Sequence, residues 1–227
     1  MYRAGFDYSR QEASFAVADR DGKILLEKFR EFPPRNASGL PGWLEECLTE
    51  VGLTFNDISE WSVGNGPGSF TGLRVAASFV MGLAFGKNIR TRGVSTAGAI
   101  ADSLELPESV TRVMTLFDGH RDELLAFGLE RKDGSFVPSG VHLVLNRESL
   151  DQISDYDVLA TMAKDHDKVA AVGGELILPR LRSVEHIAAS RLIFNDEQNF
   201  STPLTDPVYL RPAVFVEPKI PRQFPEK

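Results

Sequence analysis

One cysteine is all the chain has in 227 residues. No disulfide and no thiolate metal site can form within it, and Cys47, set in a helical pattern, reads as a small buried residue. Basic residues are the minority: 25 Lys and Arg against 32 Asp and Glu leave a net charge of −7. Such a chain is a poor solitary binder of a phosphate backbone, so any RNA it serves would be held by a partner. Long apolar runs are lacking too. The longest, Val75 to Phe85, is too short and too broken by Ser78 and Gly82 to span a bilayer. With no charged-then-apolar leader at the N-terminus, the expectation is a soluble, cytoplasmic protein that does not enter a membrane. The four histidines, His120, His142, His166 and His186, stand 20 or more residues apart. No helical His pair, and no His-x-x-x-His or His-x-x-Glu-His peptidase pattern, is therefore available.

Against these absences stands one concentrated feature, Gly64-Asn65-Gly66-Pro67-Gly68-Ser69-Phe70-Thr71-Gly72-Leu73-Arg74. An apolar strand, Trp61 to Val63, runs into it, and an apolar helix, Thr71 to Phe85, runs out of it. The glycines and the proline demand backbone conformations closed to most side chains, and Ser69 and Thr71 are both good N-caps. Two readings stay open. The turn can aim N–H groups and a helix dipole at an anion, or its glycines can let two backbones pack closely.

The rest of the chain reads as two similar runs. Strands are expected at Tyr2 to Phe6, Ser14 to Ala18 and Lys23 to Phe32, the last two joined at the Asp21-Gly22 turn and the third ended by Pro33-Pro34. A helix over Leu40 to Val51 follows, with Leu40, Leu44, Cys47, Leu48 and Val51 on one face. After the glycine turn and its helix come a strand at Arg90 to Val94 and a helix at Ser95 to Leu104, capped by Ser95 or Thr96. The second run has strands at Val113 to Phe117, Leu124 to Leu129 and Val137 to Leu145, with a turn at Asp133-Gly134. A helical segment opens at Ser149 to Ile153. A strand is expected at Val169 to Val172, ending at Gly173-Gly174, then a largely helical Glu175 to Ser190, broken at Pro179. From Asn195 onward the chain reads as an extended, proline-rich tail laid on the body.

Three matches recur in order. Phe6-Asp7-x-x-Arg10-x-Glu12 returns as Phe117-Asp118-x-x-Arg121-x-Glu123, Asp21-Gly22 as Asp133-Gly134, and Val63-Gly64 as Val172-Gly173. The chain thus looks like a duplicated β-β-β-α-β-α unit, with subdomains at residues 1–107 and 108–227. This pattern, with an acidic turn after the first strand of each half, resembles the actin-like ATPase (ribonuclease H-like) fold, an α/β class with mixed sheets flanked by helices. In that fold the two acidic turns hold nucleotide phosphates and a Gly-Gly turn holds adenosine, which makes Asp7, Asp118, Gly173 and Gly174 degenerate candidates for such loops. Both turns are thin. Asp7-Tyr8-Ser9 has no glycine, and a bulky Tyr8 would block the close approach a phosphate needs.

With Gly66 to Arg74 and Gly82-Leu83-Ala84 in view, the sequence resembles the TsaB (YeaZ) family, most closely over Gly64 to Val94. Pro207-Val208-Tyr209-Leu210-Arg211 fits that family's Pro-x-Tyr-Leu-Arg ending. The resemblance implies a non-catalytic subunit with no cofactor and no metal, which binds and activates the tRNA threonylcarbamoyltransferase TsaD. The product is N6-threonylcarbamoyladenosine at position 37 of tRNAs that read ANN codons. A small ATPase, TsaE, would join the complex, tRNA would be met only through it, and a homodimer could form when the chain is alone. The metal-binding histidines of TsaD fall on Thr96 and Ile100, and isoleucine cannot bind a metal.

The first helix and the glycine-turn helix would then bundle with the equivalent pair of TsaD. The interface candidates are Leu44, Leu48, Gly66, Pro67, Gly68, Ser69, Phe70, Thr71, Gly72, Leu73, Arg74, Val75, Phe79 and Leu83, with Leu44 and Phe79 on the outward face. The bland alternative is a fully internal core helix. Arg74 is expected to fix the helix start or to reach a carboxylate across the interface, and Asp7 and Asp118 to accept backbone hydrogen bonds in their turns. Two other classes compete with this reading. An ATP-dependent enzyme of the actin-like fold would use Asp7 and Asp118 to position Mg²⁺ and water. A metallopeptidase lacks its histidines.

Overall fold

The computed structural model describes residues 1–33, 36–195 and 203–209. Apolar alternation builds the first sheet: β1 (Tyr2–Asp7), β2 (Glu12–Ala18), β3 (Ile24–Glu31), β4 (Ile58–Gly64) and β5 (Arg90–Val94), in spatial order β3-β2-β1-β4-β5. The β1-β2-β3 hairpins are antiparallel, whereas β4 and β5 run parallel to β1. Helix α1 (Leu40–Glu50) precedes β4, α2 (Phe70–Ala84) connects β4 to β5, and α3 (Thr96–Asp102) follows β5.

The second half repeats the plan. β6 (Arg112–Asp118), β7 (Leu124–Lys132), β8 (Ser135–Leu145), β9 (Val158–Met162) and β10 (Leu181–Val184) take the order β8-β7-β6-β9-β10, with a 3₁₀ turn at Arg147–Ile153 where the first half has α1. Helix α4 (Ala163–Gly173) links β9 to β10, and α5 (Ala189–Phe194) ends the half. Both Asp-Gly hairpins carry the positive φ their turn type requires, 88° at Gly22 and 90° at Gly134.

Four expectations need correction. The repeat is one β-α step longer than read, β-β-β-α-β-α-β-α. Val169 to Val172 is not a strand but the last turn of α4; the strand is Val158–Met162, so Gly64 is matched by Met162 and not by Gly173. Lys164, Asp165, Asp167 and Lys168 line that helix and hide its periodicity. Glu175 to Ser190 is mostly not helical: it forms two 3₁₀ turns and β10 before α5 begins. The expected tail lies outside the described residues except for Asn195 and 203–209, as do Pro34, Leu210 and Arg211.

The helices are shared between the sheets. α1 and α2 cover the outer face of the first sheet, and α4 covers the outer face of the second. Between the sheets lie α3, packed on β6, β7, β8 and β9, and α5, packed on β1, β2 and β4. Each half therefore sends its last helix onto the other half's sheet.

Under α1 and α2 the core is a run of touching rings. Phe79 meets Phe6 and Phe55; Phe55 stacks on Trp61; Trp61 stacks on Phe15; Phe15 meets Trp43; and Trp43 meets Phe32, with centroid separations of 5.8 to 6.5 Å. Each such pair contributes about 0.5–1.5 kcal/mol beyond area burial. Cys47 lies in this layer, and burial pushes its thiol up to about 11, which makes it inert at neutral pH. Among the described residues no helix is long and apolar enough to cross a membrane.

The outward face expected for α1 is also wrong. Leu44 and Leu48 are fully buried against the sheet. The solvent side of α1 carries Pro41, Gly42, Glu45, Glu46, Thr49 and Glu50, because an amphipathic helix turns its single apolar stripe inward. A Leu44→Ala chain is expected to lose about 2–5 kcal/mol of stability, while Glu45→Ala stays near wild type; thermal denaturation by circular dichroism checks both.

Candidate functional site

The centre of the first half is the turn after β1. Asp7 is fully buried on the α3 side of the sheet. Its carboxylate accepts the Ser9 N–H at 2.8 Å, the Ser9 hydroxyl at 2.7 Å and the Thr96 hydroxyl at 2.8 Å. Thr96 in turn accepts the Gly66 N–H at 3.2 Å. Burial pushes the Asp7 pKa up, and the bonds from Ser9 and Thr96 and the charge of Arg10 oppose that rise. Gly64 makes this possible, since a Cβ there would overlap the Asp7 carboxylate.

The glycine turn is filled by the chain itself. A Cβ at Gly68 would lie 2.6 Å from the Ser9 carbonyl oxygen, and one at Gly72 would collide with the Tyr8 carbonyl. The Ser69 N–H donates to that Ser9 oxygen at 2.6 Å. From the other side, Val208 N–H donates to the Asn65 carbonyl at 2.7 Å, and Tyr209 bridges Gly68 as a short parallel strand. Of the two readings of the glycines, the structure holds close backbone packing. The role expected of Tyr8 is corrected too. Its ring turns into the core against Phe32, 5.9 Å away, and it is the Tyr8 carbonyl that faces the turn. Pro67, in cis after Gly66, sits within the turn. Ser69 caps α2 by accepting the Gly72 N–H at 3.4 Å, so Thr71 is an exposed residue of the first helical turn and not the cap.

The second half repeats the acidic turn in weaker form. Asp118 accepts the His120 N–H at 2.8 Å, the same two-residue reach as Asp7 to Ser9, and an ion pair from Lys168 at 2.7 Å. Against slight burial, Lys168 and the His120 amide hold its carboxyl below the usual range. His120, Arg121 and Asp122 all have φ between 55° and 61°, each costing about 1–2 kcal/mol for a non-glycine residue. Arg10 spans the halves, donating from Nη2 to both carboxylate oxygens of Asp165 at 2.8 and 2.7 Å. Beside it Lys164 pairs with Glu31, and His186 lies 2.9 Å from Glu12 and stacks on Phe29.

Gly173 and Gly174 do not form a strand-end turn. They close α4, Gly174 at φ 55° with its N–H on the Ala170 carbonyl, the usual work of a helix C-cap glycine. Thr96 is spent on Asp7, and Ile100 is buried in the second core. Among the described residues no group of three or more His, Cys, Asp or Glu is placed to hold a metal ion.

On α2 the interface candidates divide. Gly72, Leu73, Ala76 and Val80 are buried, and Phe79 turns inward onto Phe6 and Phe55. Phe70, Val75 and Leu83 are half-buried, and Thr71 and Arg74 are exposed. The outer stripe runs Arg74, Ser78, Met81, Gly82, Phe85. Met81 is 44% and Phe85 88% exposed, and none of the described residues lies within 4 Å of a Cβ at Gly82. The sequence reading missed Met81 and Phe85. The signal was available: Leu73, Ala76 and Val80 mark the inner side, which leaves the 74-78-81-85 spacing opposite.

A groove of about 360 Å³ opens where α3 ends, beside the β7–β8 turn and α5. Asp102 lines it, accepting the Phe136 N–H at 2.8 Å. Burial pushes its carboxyl up to about 6, against that backbone bond and the charges of Arg191 and Arg131.

Two five-stranded sheets of matching order, each with an acidic turn after its first strand, define a duplicated actin-like ATPase fold. A family model described as "TsaD: tRNA N6-adenosine threonylcarbamoyltransferase" matches residues 35–189. The chain belongs to this family, in its TsaB/YeaZ branch. It is 26% identical over 213 residues to the tRNA threonylcarbamoyladenosine biosynthesis protein TsaB of Escherichia coli K12, covering 88% of this chain and 90% of that one. It is 33% identical over 118 residues to TsaB of Haemophilus influenzae, covering 52% and 49%. A crystal structure from Pseudomonas aeruginosa, described as similar to the peptidase YEAZ, shares the fold with TM-score 0.73 at 23% identity over 92% of this chain and 99% of that one. A second, titled YeaZ, from the same organism gives 0.66 at 22% identity over 84% and 88%.

Two outcomes check this geometry. Gly72→Ala is expected to destabilise the fold by about 2 kcal/mol or more, through overpacking on Tyr8, whereas Gly82→Ala gains up to about 1 kcal/mol of helix propensity; urea denaturation compares them. Asp102 has a folded pKa above its unfolded one, so its contribution to stability is full below about pH 4 and is lost as pH rises to about 6. Asp102→Asn is expected to flatten the melting temperature over that window and to raise stability at pH 7.5 by about 1–3 kcal/mol.

Proposed function

We propose that this chain is a non-catalytic subunit in the formation of N6-threonylcarbamoyladenosine on tRNA, and that it works by binding and activating a TsaD-type catalytic subunit. The reading rests on one observation: α2, apolar enough for a core helix, leaves Met81 and Phe85 bare along a stripe that nothing among the described residues covers. A mostly apolar helix needs cover on more than one side. The filled glycine turn supports the same reading, since the Tyr8 and Ser9 backbone stands where a phosphate would approach, and the Asp7 carboxylate already accepts three hydrogen bonds. The curated relatives carry the biosynthesis name, and the match to the catalytic family supports a partner of like fold.

The net charge of −7 suits a protein that meets tRNA only through a complex. A TsaE-like ATPase completes the proposed assembly, and a second copy of the chain is the alternative occupant of the stripe. The ATP-dependent enzyme reading is not favoured.

Met81→Asp with Phe85→Asp is expected to abolish co-elution with a TsaD-type subunit in size-exclusion chromatography while moving the melting temperature by no more than about 2 °C, because exposed substitutions cost little. In a strain lacking the gene, the doubly substituted chain is expected not to restore the modified nucleoside in tRNA, measured by mass spectrometry. Unchanged co-elution would return α2 to a purely structural role.

A further inference from the structure

The only charge on α2 is Arg74, and the structure holds that side chain in place from outside the helix. Tyr209 stacks face to face on Phe70, with centroids 3.9 Å apart and planes 8° from parallel. The Arg74 guanidinium carbon sits 5.7 Å from both ring centroids, and its Nε donates to the Tyr209 hydroxyl at 3.1 Å. Among the described residues only Nε is used in this way. No described residue takes the two terminal nitrogens, the fork that matches a carboxylate, on the exposed flank of the helix. Arg74 lies just past the first turn of α2, where a helix dipole gives a cation no support. The helix dipole therefore does not account for an arginine there.

We propose that Arg74, locked by Tyr209 and Phe70, is a pre-organised anchor for one carboxylate on the docked catalytic subunit, and that the 203–209 strap is part of the docking surface. This rests on the reading of α2 as the docking helix. The anchor heads the stripe Ser78, Met81, Gly82, Phe85, so the facing partner element must be apolar or small along its length with a single acidic side chain at one end. A lone guanidinium on a helix flank fits a carboxylate at a protein interface, where buried arginines anchor affinity. It does not fit a small polyphosphate, which needs several donors. Fixing the side chain before binding removes part of the ordering cost that a free arginine would incur.

The test is a double-mutant cycle on the full chain, with affinity for the TsaD-type subunit as readout. Arg74→Gln is expected to weaken binding by about tenfold or more, as for truncation of a buried charge pair. Tyr209→Phe, which keeps the stacked ring and loses the hydroxyl, is expected to weaken it about threefold, and to add nothing in the Arg74→Gln background. Each should lower the melting temperature of the free chain by no more than about 2 °C, because exposed contacts cost little. Added salt should weaken the wild-type complex more than the Arg74→Gln complex. Arg74→Glu should be rescued by a lysine at one acidic position of the partner. If Arg74→Gln binds as wild type while the Met81 and Phe85 substitutions abolish binding, the anchor is wrong and the docking helix stands. If those two substitutions also leave binding intact, the docking reading itself fails. Loss of self-association alone, with partner binding unchanged, would give the anchor to a second copy and overturn the assignment.

Discussion

Everything else in the molecule depends on a backbone-to-backbone contact. The turn after β1 and the turn after β4 are pressed together until the Ser69 N–H reaches the Ser9 carbonyl, and three glycines, Gly64, Gly68 and Gly72, clear the space. Asp7 fastens the contact from beneath through Ser9 and Thr96, tying β1, the turn after it and α3 into one hydrogen-bonded knot. A buried carboxylate with several short bonds is stable only while every donor stays in place. The same knot fixes the start of α2, and so sets the rotation at which Met81 and Phe85 face outward. Structure and proposed function share this constraint: the atoms that would cradle a phosphate are used to aim a helix.

Legibility in the sequence was uneven for physical reasons. The first half read nearly element for element, because its strands alternate cleanly and Asp-Gly, Pro-Pro and the glycine turn punctuate them. The second half slipped after residue 153. There Val169 to Val172 is a short apolar run before Gly-Gly, which imitates a buried strand, while the true strand, Val158–Met162, is only one residue longer. Periodicity cannot separate such runs, and only pairing with β6 decides between them. The error carried Gly173 and Gly174 from a helix cap to a supposed ligand turn.

The site was legible in its parts and not in its orientation. The glycine turn, Asp7, Asp118 and Arg74 could be singled out by residue type. Which side of α1 and α2 meets the sheet could not, because leucines at 44, 48 and 73 look alike whether they meet a sheet or a partner. The ring contacts from Phe79 to Phe32 settle that question in three dimensions. Nor could the sequence bring Tyr209 to Phe70 and Arg74, 135 residues away from the latter. Long-range stacking leaves no local trace.

The crossing of α3 and α5 between the sheets has a historical meaning. A gene for one unit alone would encode a sheet with one face bare and a final helix without its main packing surface. Such a product becomes complete only as a symmetric pair that trades helices. Tandem joining of two such genes would turn that exchange into an internal core, after which the copies could drift apart, one keeping its tight glycine corner and the other relaxing into the strained bend at His120 to Asp122.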